Sequence, residues 1–192
     1  TYTDEYDSTI KTKIDSWYKT NIQDKNYSTY LTDNLFCNDR SITSGDGFSL
    51  NQTTFYGAYT RNYNNKTPSL KCPRKLDQFT VTSGTTLGNG ELTYPVSLLT
   101  ADEVAFAGGK AEYDNKEYYL ATGQYYWLGS PSDFHSWAAF ANGWSVASAG
   151  YLYPWRGVSA SIGVRPVINL KATTLISEGN GTTTNPYIVK IN

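Results

Sequence analysis

The chain contains no methionine, one histidine (His135) and two cysteines, and Lys, Arg, Asp and Glu together make up only 17% of its 192 residues. Each shortage closes a class of function. One histidine is too few for a histidine-built iron centre. Cys37 and Cys72 lack the close pairing or histidine partners of a zinc site. Their simplest reading is one disulfide closing a loop of about 35 residues, which contributes roughly 3–4 kcal/mol in the chain-entropy model; two buried free thiols are the alternative. Sixteen basic and seventeen acidic residues leave a net charge of −1 and form no basic run, so there is no electrostatic footprint for nucleic acid or an anionic membrane. No apolar run approaches the roughly 18 residues of a membrane span. An initiator Met, a signal peptide and a lipidation motif are also missing, so the chain reads as a mature or trimmed ectodomain.

What the chain has in abundance is rings: 15% of residues are aromatic, including 17 Tyr and 5 Trp. Tyrosine joins a large apolar face to a polar tip at little rotamer cost, which favours it on recognition surfaces. With many Asn, Ser, Thr and Gly, the texture is that of a polar, β-rich secreted protein. At 21.4 kDa the chain suits one domain over residues 1–192 with a substantial core.

Local signals order the elements. Asp7 or Ser8 can cap a helix running to about Thr20, since Ile10, Ile14, Trp17 and Tyr18 share one face. The region 35–68 is irregular, with short strands expected at 54–59 and 79–81. A Gly/Thr/Ser loop over 82–89 leads into the run 92–98. Thr100 and Glu103 form a capping box for a short helix that Gly108-Gly109 ends. Strands are expected at 118–121, 125–128, 164–170 and 187–191, with a turn around 179–181. This order predicts an α+β fold with two short helices, a small mixed or antiparallel sheet and high loop content.

Several motifs resemble the C-type-lectin-like fold, in the branch shared with formylglycine-generating enzymes and retroelement-diversified bacterial receptors. They are Asp7-Ser8-Thr9-Ile10 with Trp17-Tyr18, Phe36-Cys37-Asn38-Asp39-Arg40-Ser41, Tyr94 to Val104, Tyr126 to Ser132, Gly163 to Leu170, and Asn185-Pro186-Tyr187. More closely, the chain resembles a domain family of surface and pilin-like proteins of gut Firmicutes, which supplies no activity to carry over. The resemblance implies a bacterial, extracellular or cell-surface location. It makes Leu99 to Gly109 the helix before the β core and Gly163-Val164-Arg165-Pro166 the closing strand, with Arg165 buried against backbone carbonyls. It also places a ligand-contacting, retroelement-diversified face at about 133–161.

Chemistry is poorly served by these residues. The oxidase relatives use a late cysteine pair, and no cysteine follows Cys72. A triad of His135 with Ser130 or Ser132 and Asp133 lacks a Gly-x-Ser-x-Gly elbow, and neighbours in sequence rarely converge as nucleophile, base and orienter. Glu103 belongs to the capping box, so no carboxylate pair remains for glycoside hydrolysis. Asn38, Asp39 and Asp46, the one calcium-like cluster, read better as turn and cap residues. The chain is therefore expected to be no enzyme and to hold no cofactor or metal.

Binding is better served. Turn signals at Gly129-Ser130-Pro131, Asn142-Gly143 and Tyr153-Pro154-Trp155-Arg156-Gly157 set rings beside turns, where full burial is uncommon. The expected ligand-binding residues are Phe134, His135, Ser136, Trp137, Trp144, Tyr151, Tyr153, Trp155 and Arg156, with Trp127 and Phe140 in the core. A protein ligand is expected ahead of a glycan, because sugar sites add carboxylates and amides to their rings; nucleic acid and membrane are not expected partners. A pilin-like or surface-assembly subunit is the alternative, and an oxidase-like enzyme the weaker one.

Overall fold

Ser8 opens the first helix of the computed structural model, which describes residues 7–84, 87–182 and 184–191. The Ser8 hydroxyl accepts from the Lys11 amide at 3.1 Å, satisfying one of the orphan donors of α1 (Thr9–Tyr18). Ile14 and Tyr18, one turn apart, are buried, and Ile10 and Trp17 pack beside them. The helix widens into a π turn at Lys19–Gln23. Three short strands follow: β1 (Phe36–Cys37), β2 (Ile42–Ser44) and β3 (Thr54–Tyr56). The last runs directly into α2 (Gly57–Tyr59) and a second π turn, Thr60–Asn65.

Beyond lie β4 (Gln78–Phe79), β5 (Ser83–Gly84), β6 (Gly88–Asn89) and α3 (Ala101–Phe106); Thr85 and Thr86 of the expected loop are outside the described residues. Both halves of the α3 capping box form: Thr100 Oγ1 accepts from the Glu103 amide at 3.1 Å, and Glu103 Oε2 accepts from the Thr100 amide at 2.7 Å. Gly108, at φ +107°, turns the chain away after α3. Three long strands then form a meander, β7 (Tyr126–His135), β8 (Phe140–Val146) and β9 (Leu152–Gly157), and β10 (Ile176–Glu178) pairs with β11 (Ile188–Val189) near the C-terminus.

The main sheet is antiparallel in the order β2-β3-β7-β8-β9, and β1–β4, β5–β6 and β10–β11 are two-stranded, giving an α+β fold. Side chains alternate along β7. Tyr126 and Leu128 enter a core with Ala58, Val104, Trp144, Val146 and Leu152, whereas Trp127 faces Ile14, Tyr18, Val96 and Leu98. Each face of the sheet is thus covered, one by α2 and α3 and the other by α1. No helix among the described residues is long and apolar enough to cross a membrane.

Several expectations need correction. Gly129-Ser130-Pro131 and Asn142-Gly143 make no turns: they lie inside β7 and β8, where the register shifts between Trp127 and Pro131 and again between Pro131 and Asp133. Bulges absorb the turn-forming residues. Residues 153–157 likewise belong to edge strand β9, where Pro154 sits at a register shift and needs no ladder donor. The run 164–170 is no continuous strand but makes single bridges, Ser97 to Val167 and Leu31 to Leu170. Residues 118–121 form a turn instead.

Behind α3 lies a salt-bridge network. Arg61 donates to both Asp102 oxygens at 2.9 and 2.8 Å and to Asp39 Oδ2 at 2.8 Å. Gly57 leaves room for it, since a Cβ there would stand 2.8 Å from Arg61 Nη1 and 2.9 Å from Asp39 Oδ2. Asp39 also accepts from the Ser41 amide and hydroxyl, so it is committed to the fold. Cys37 and Cys72 are joined by a disulfide beside this network. Arg165 is half-buried, donates to Leu120 O at 3.1 Å and covers the Tyr126 ring.

Candidate recognition surface on the meander

The turn Ser136–Ala139 between β7 and β8 carries the exposed rings. His135 and Phe140 are the last cross-strand pair, and Ala139 closes the turn at φ +52°, a conformation that costs a residue with a Cβ. Trp137 projects with 78% of its surface exposed. Its ring meets His135 at 5.9 Å and Phe140 at 5.8 Å edge-on, and His135 meets Phe140 at 4.9 Å. Three rings in mutual contact thus cap the hairpin. Ser136 ties this tip to the loop before β3, its hydroxyl lying 3.3 Å from Thr53 Oγ1.

The cluster is anchored from below. Asp133 is fully buried, and its Oδ1 lies 2.9 Å from His135 Nε2 and accepts from Asn142 Nδ2 at 2.8 Å. Its Oδ2 accepts from the Ser132 hydroxyl at 2.9 Å. Residues 133 and 135 share a face of β7 because side chains alternate. Burial, the largest influence, raises the Asp133 carboxyl above the ordinary range, while the bonds from Asn142 and Ser132 and the charge of His135 pull it back. Ser132 is spent on Asp133, and Ser130 accepts from the Ala101 amide at 3.0 Å. Neither serine is placed as a nucleophile on His135, so Asp133 acts here as an orienter of an imidazole at the surface.

The remaining predicted residues are elsewhere. Phe134, expected at the surface, is only 8% exposed and packs edge-on against the exposed Phe48 at 5.2 Å. Trp144, also expected to bind, is 0% exposed in the main core, because it sits in the strand interior rather than beside a turn. Phe140, expected in the core, is 36% exposed. Tyr151, Tyr153, Trp155 and Arg156 are half-buried. Tyr151 and Tyr153 stand toward the opposite end of the meander, since Val146 pairs with Leu152 and Ser145 with Tyr153 at the far end of β8 from Phe140, while Arg156 pairs with Gly143 in mid-strand.

There the rings form a ladder: Tyr151 to Tyr153 at 6.1 Å, Tyr153 to Trp155 at 5.9 Å, Trp155 to Tyr63 at 5.0 Å and Tyr63 to Tyr59 at 5.0 Å. Arg156 lies over Tyr125 at 4.3 Å and Tyr153 at 5.0 Å. A hydrogen bond to the Glu112 carboxylate, then burial, pushes the Tyr63 hydroxyl up to about 12. The single predicted surface is therefore two. A tip gathers the exposed Trp137 with the half-buried His135 and Ser136, and a half-buried ladder gathers Tyr151, Tyr153, Trp155 and Arg156. Sequence reasoning missed Phe48 and Phe140 at the exposed end. Phe48 carried a usable signal, a lone ring just after Gly45-Asp46-Gly47. The anchoring role of Asp133 was also readable, as an Asp-x-His in an extended segment.

Comparison with protein-family models, curated proteins and solved structures returns no match for this chain.

Proposed function

We propose that the chain is an extracellular, bacterial cell-surface binding module of the C-type-lectin-like type, which presents the β7–β8 hairpin tip to a protein partner. The contact of the exposed Trp137 and Phe140 with the half-buried His135 on a hydrogen-bonded hairpin carries this reading. Tryptophan is enriched among binding hot spots, and a ring held against two others in the turn of a paired hairpin gives up little rotamer freedom on binding. The capped α3 before the meander, the antiparallel sheet and the closing segment 163–170 bridged to Ser97 and Tyr126 all support the lectin-like comparison. Should retroelement diversification act on 133–161, it is expected at the tip and to spare Trp144, Val146 and Leu152, which fill the core.

The test is an array of extracellular proteins and glycans probed with the chain and with Trp137→Ala. The reading expects a protein partner whose affinity falls about 30-fold in the variant. Partners indifferent to Trp137→Ala, or glycans alone, overturn it.

A second reading, an assembly subunit, is favoured by one observation. Leu175, Ile176, Tyr187, Ile188 and Ile191, in and beside the β10–β11 hairpin, are each at least half exposed. Sedimentation velocity tests it: self-association lost in Ile188→Lys but kept in Trp137→Ala favours assembly, and a monomer throughout removes it.

A further inference from the structure

The chain has arginines at 40, 61, 74, 156 and 165. All but one donate to the protein itself: Arg40 to Asp77, Arg61 to Asp39 and Asp102, Arg74 to Arg40 O, and Arg165 to Leu120 O. Arg156 is the exception. Among the described residues nothing accepts a hydrogen bond from it and no carboxylate pairs with it. Its Nε is buried without a partner. Nη1 and Nη2 are unbonded too but remain in contact with solvent, so their N–H donors are free.

The sheet register sets where this group points. Arg156 of β9 is the cross-strand partner of Gly143, and Tyr153 is that of Ser145, which also pairs with Trp127. A Cβ on Gly143 would stand 3.3 Å from the Trp127 ring, so Arg156, Tyr153 and Trp127 share one face. Tyr125, just before β7, joins them. The Arg156 guanidinium carbon lies 4.3 Å from the centre of the Tyr125 ring and 5.0 Å from that of Tyr153. The rings hold the group in place and strip part of its water, which lowers the ordering cost of binding an anion and strengthens the attraction.

A guanidinium meets a carboxylate through paired N–H···O bonds. One cation balances one negative charge, whereas a phosphate dianion draws donors from several groups. A sugar ring is poorly served. Tyr151 meets Tyr153 at 76° and Tyr153 meets Trp155 at 87°, so neighbouring rings stand edge to face and form no flat platform.

We propose that Arg156 receives the carboxylate of an acidic side chain of the protein partner, end-on through Nη1 and Nη2, while Tyr125 and Tyr153 position the guanidinium. Gly143, opposite Arg156, is three residues from Phe140 along β8, or about 10 Å, so a partner seated on the tip is within reach of this site. That the carboxylate belongs to a protein rests on the function proposed above; the anion site itself does not.

The test uses the whole ¹⁵N-labelled chain, with Nα-acetyl-glutamate N-methylamide and its glutamine counterpart as probes. Saturable shifts of the Arg156 Nε–H and the Tyr153 amide are expected with the glutamate probe, and binding at least about tenfold weaker with glutamine. Arg156→Lys keeps the charge but loses the paired donors, so the thermal midpoint stays and the glutamate probe binds severalfold more weakly. Equal affinity for the two probes, unchanged binding in Arg156→Lys, or no shift up to about 50 mM glutamate probe overturns the proposal. Tighter binding of inorganic phosphate or glucuronate than of the glutamate probe also overturns it, by assigning the site to a phosphoryl group or a sugar acid. Trp137→Ala, compared with Arg156→Lys on the protein array, separates the two ideas. A partner lost only in Trp137→Ala refutes the Arg156 site alone, whereas probe binding at Arg156 with no partner sensitive to Trp137→Ala refutes the tip and retains the site.

Discussion

Trp137 and Trp144 are seven residues apart in the same ring-rich segment, yet their truncations are expected to differ by several kcal/mol. Trp144 is fully buried among Ala58, Val104, Leu128, Val146 and Leu152, whereas Trp137 is 78% exposed. Trp144→Ala removes a whole indole from a core that can only partly collapse, at about 3–5 kcal/mol. For a chain of this size each kcal/mol shifts the midpoint by about 2–4 °C, so the loss is roughly 6–20 °C. Trp137→Ala removes edge contacts with His135 and Phe140 and is expected within about 1 kcal/mol of the parent. Trp144→Phe adds a finer test. The Trp144 indole N–H has no partner, so phenylalanine relieves a buried orphan donor while leaving a smaller void; the expected cost is about half that of alanine or less. Thermal and urea unfolding by circular dichroism, without reductant, measures all three. Equal costs for Trp137→Ala and Trp144→Ala, or a Trp144→Ala cost under about 1 kcal/mol, refute this placement of the two rings.

Three further outcomes can be checked. Arg61→Ala leaves the carboxylates of Asp39 and Asp102 buried without their cation and is expected to cost about 3–5 kcal/mol in urea unfolding; a loss near zero refutes the network. Reducing Cys37–Cys72 is expected to cost roughly 3–4 kcal/mol, seen as a lower midpoint in dithiothreitol, and an unchanged midpoint counts against the bond. Burial holds the Asp133 carboxyl above its ordinary value, so the folded chain keeps this proton after the unfolded chain has lost it; Asp133 therefore withdraws stability as pH rises from about 4 through the folded value. A ¹³Cγ titration of Asp133 with its midpoint at or below that of free aspartate contradicts this.

Signals that act within one turn of chain were legible in the sequence. The Ser8 cap, the α1 face of Ile14 and Tyr18, and the Thr100–Glu103 box are settled by neighbours three or four residues away, and they form as expected. The meander was harder because its turn residues are decoys. Pro131 and Gly143 look like loop punctuation, but they face each other across β7 and β8, where bulges accommodate them. Once those turns vanish, Trp144 moves from a turn to a strand interior and becomes core. Phe140 moves the other way because the real reversal is at Ser136–Ala139, which holds no Gly or Pro to announce it. The closing run 164–170 has strand composition, yet its partners are single residues on separate segments, a tertiary fact that local propensity does not encode.

The tip and the interior are one electrostatic structure. An exposed ring on a loose loop would be ordered only on binding, at a cost in rotamer freedom. Here the order exists beforehand: β7 and β8 are paired up to His135 and Phe140, and His135 is held by a buried carboxylate that Asn142 and Ser132 hold in turn. That arrangement has its own cost, a desolvated Asp133 and an Asn142 whose oxygen is left without a donor. A fold selected for stability alone would do better with apolar residues at 133 and 142, since replacing a buried polar pair by packed hydrophobes is often neutral or favourable. Keeping the polar set makes sense where it orients His135 beneath Trp137. The same residues that weaken the sheet are the ones that rigidify its exposed end.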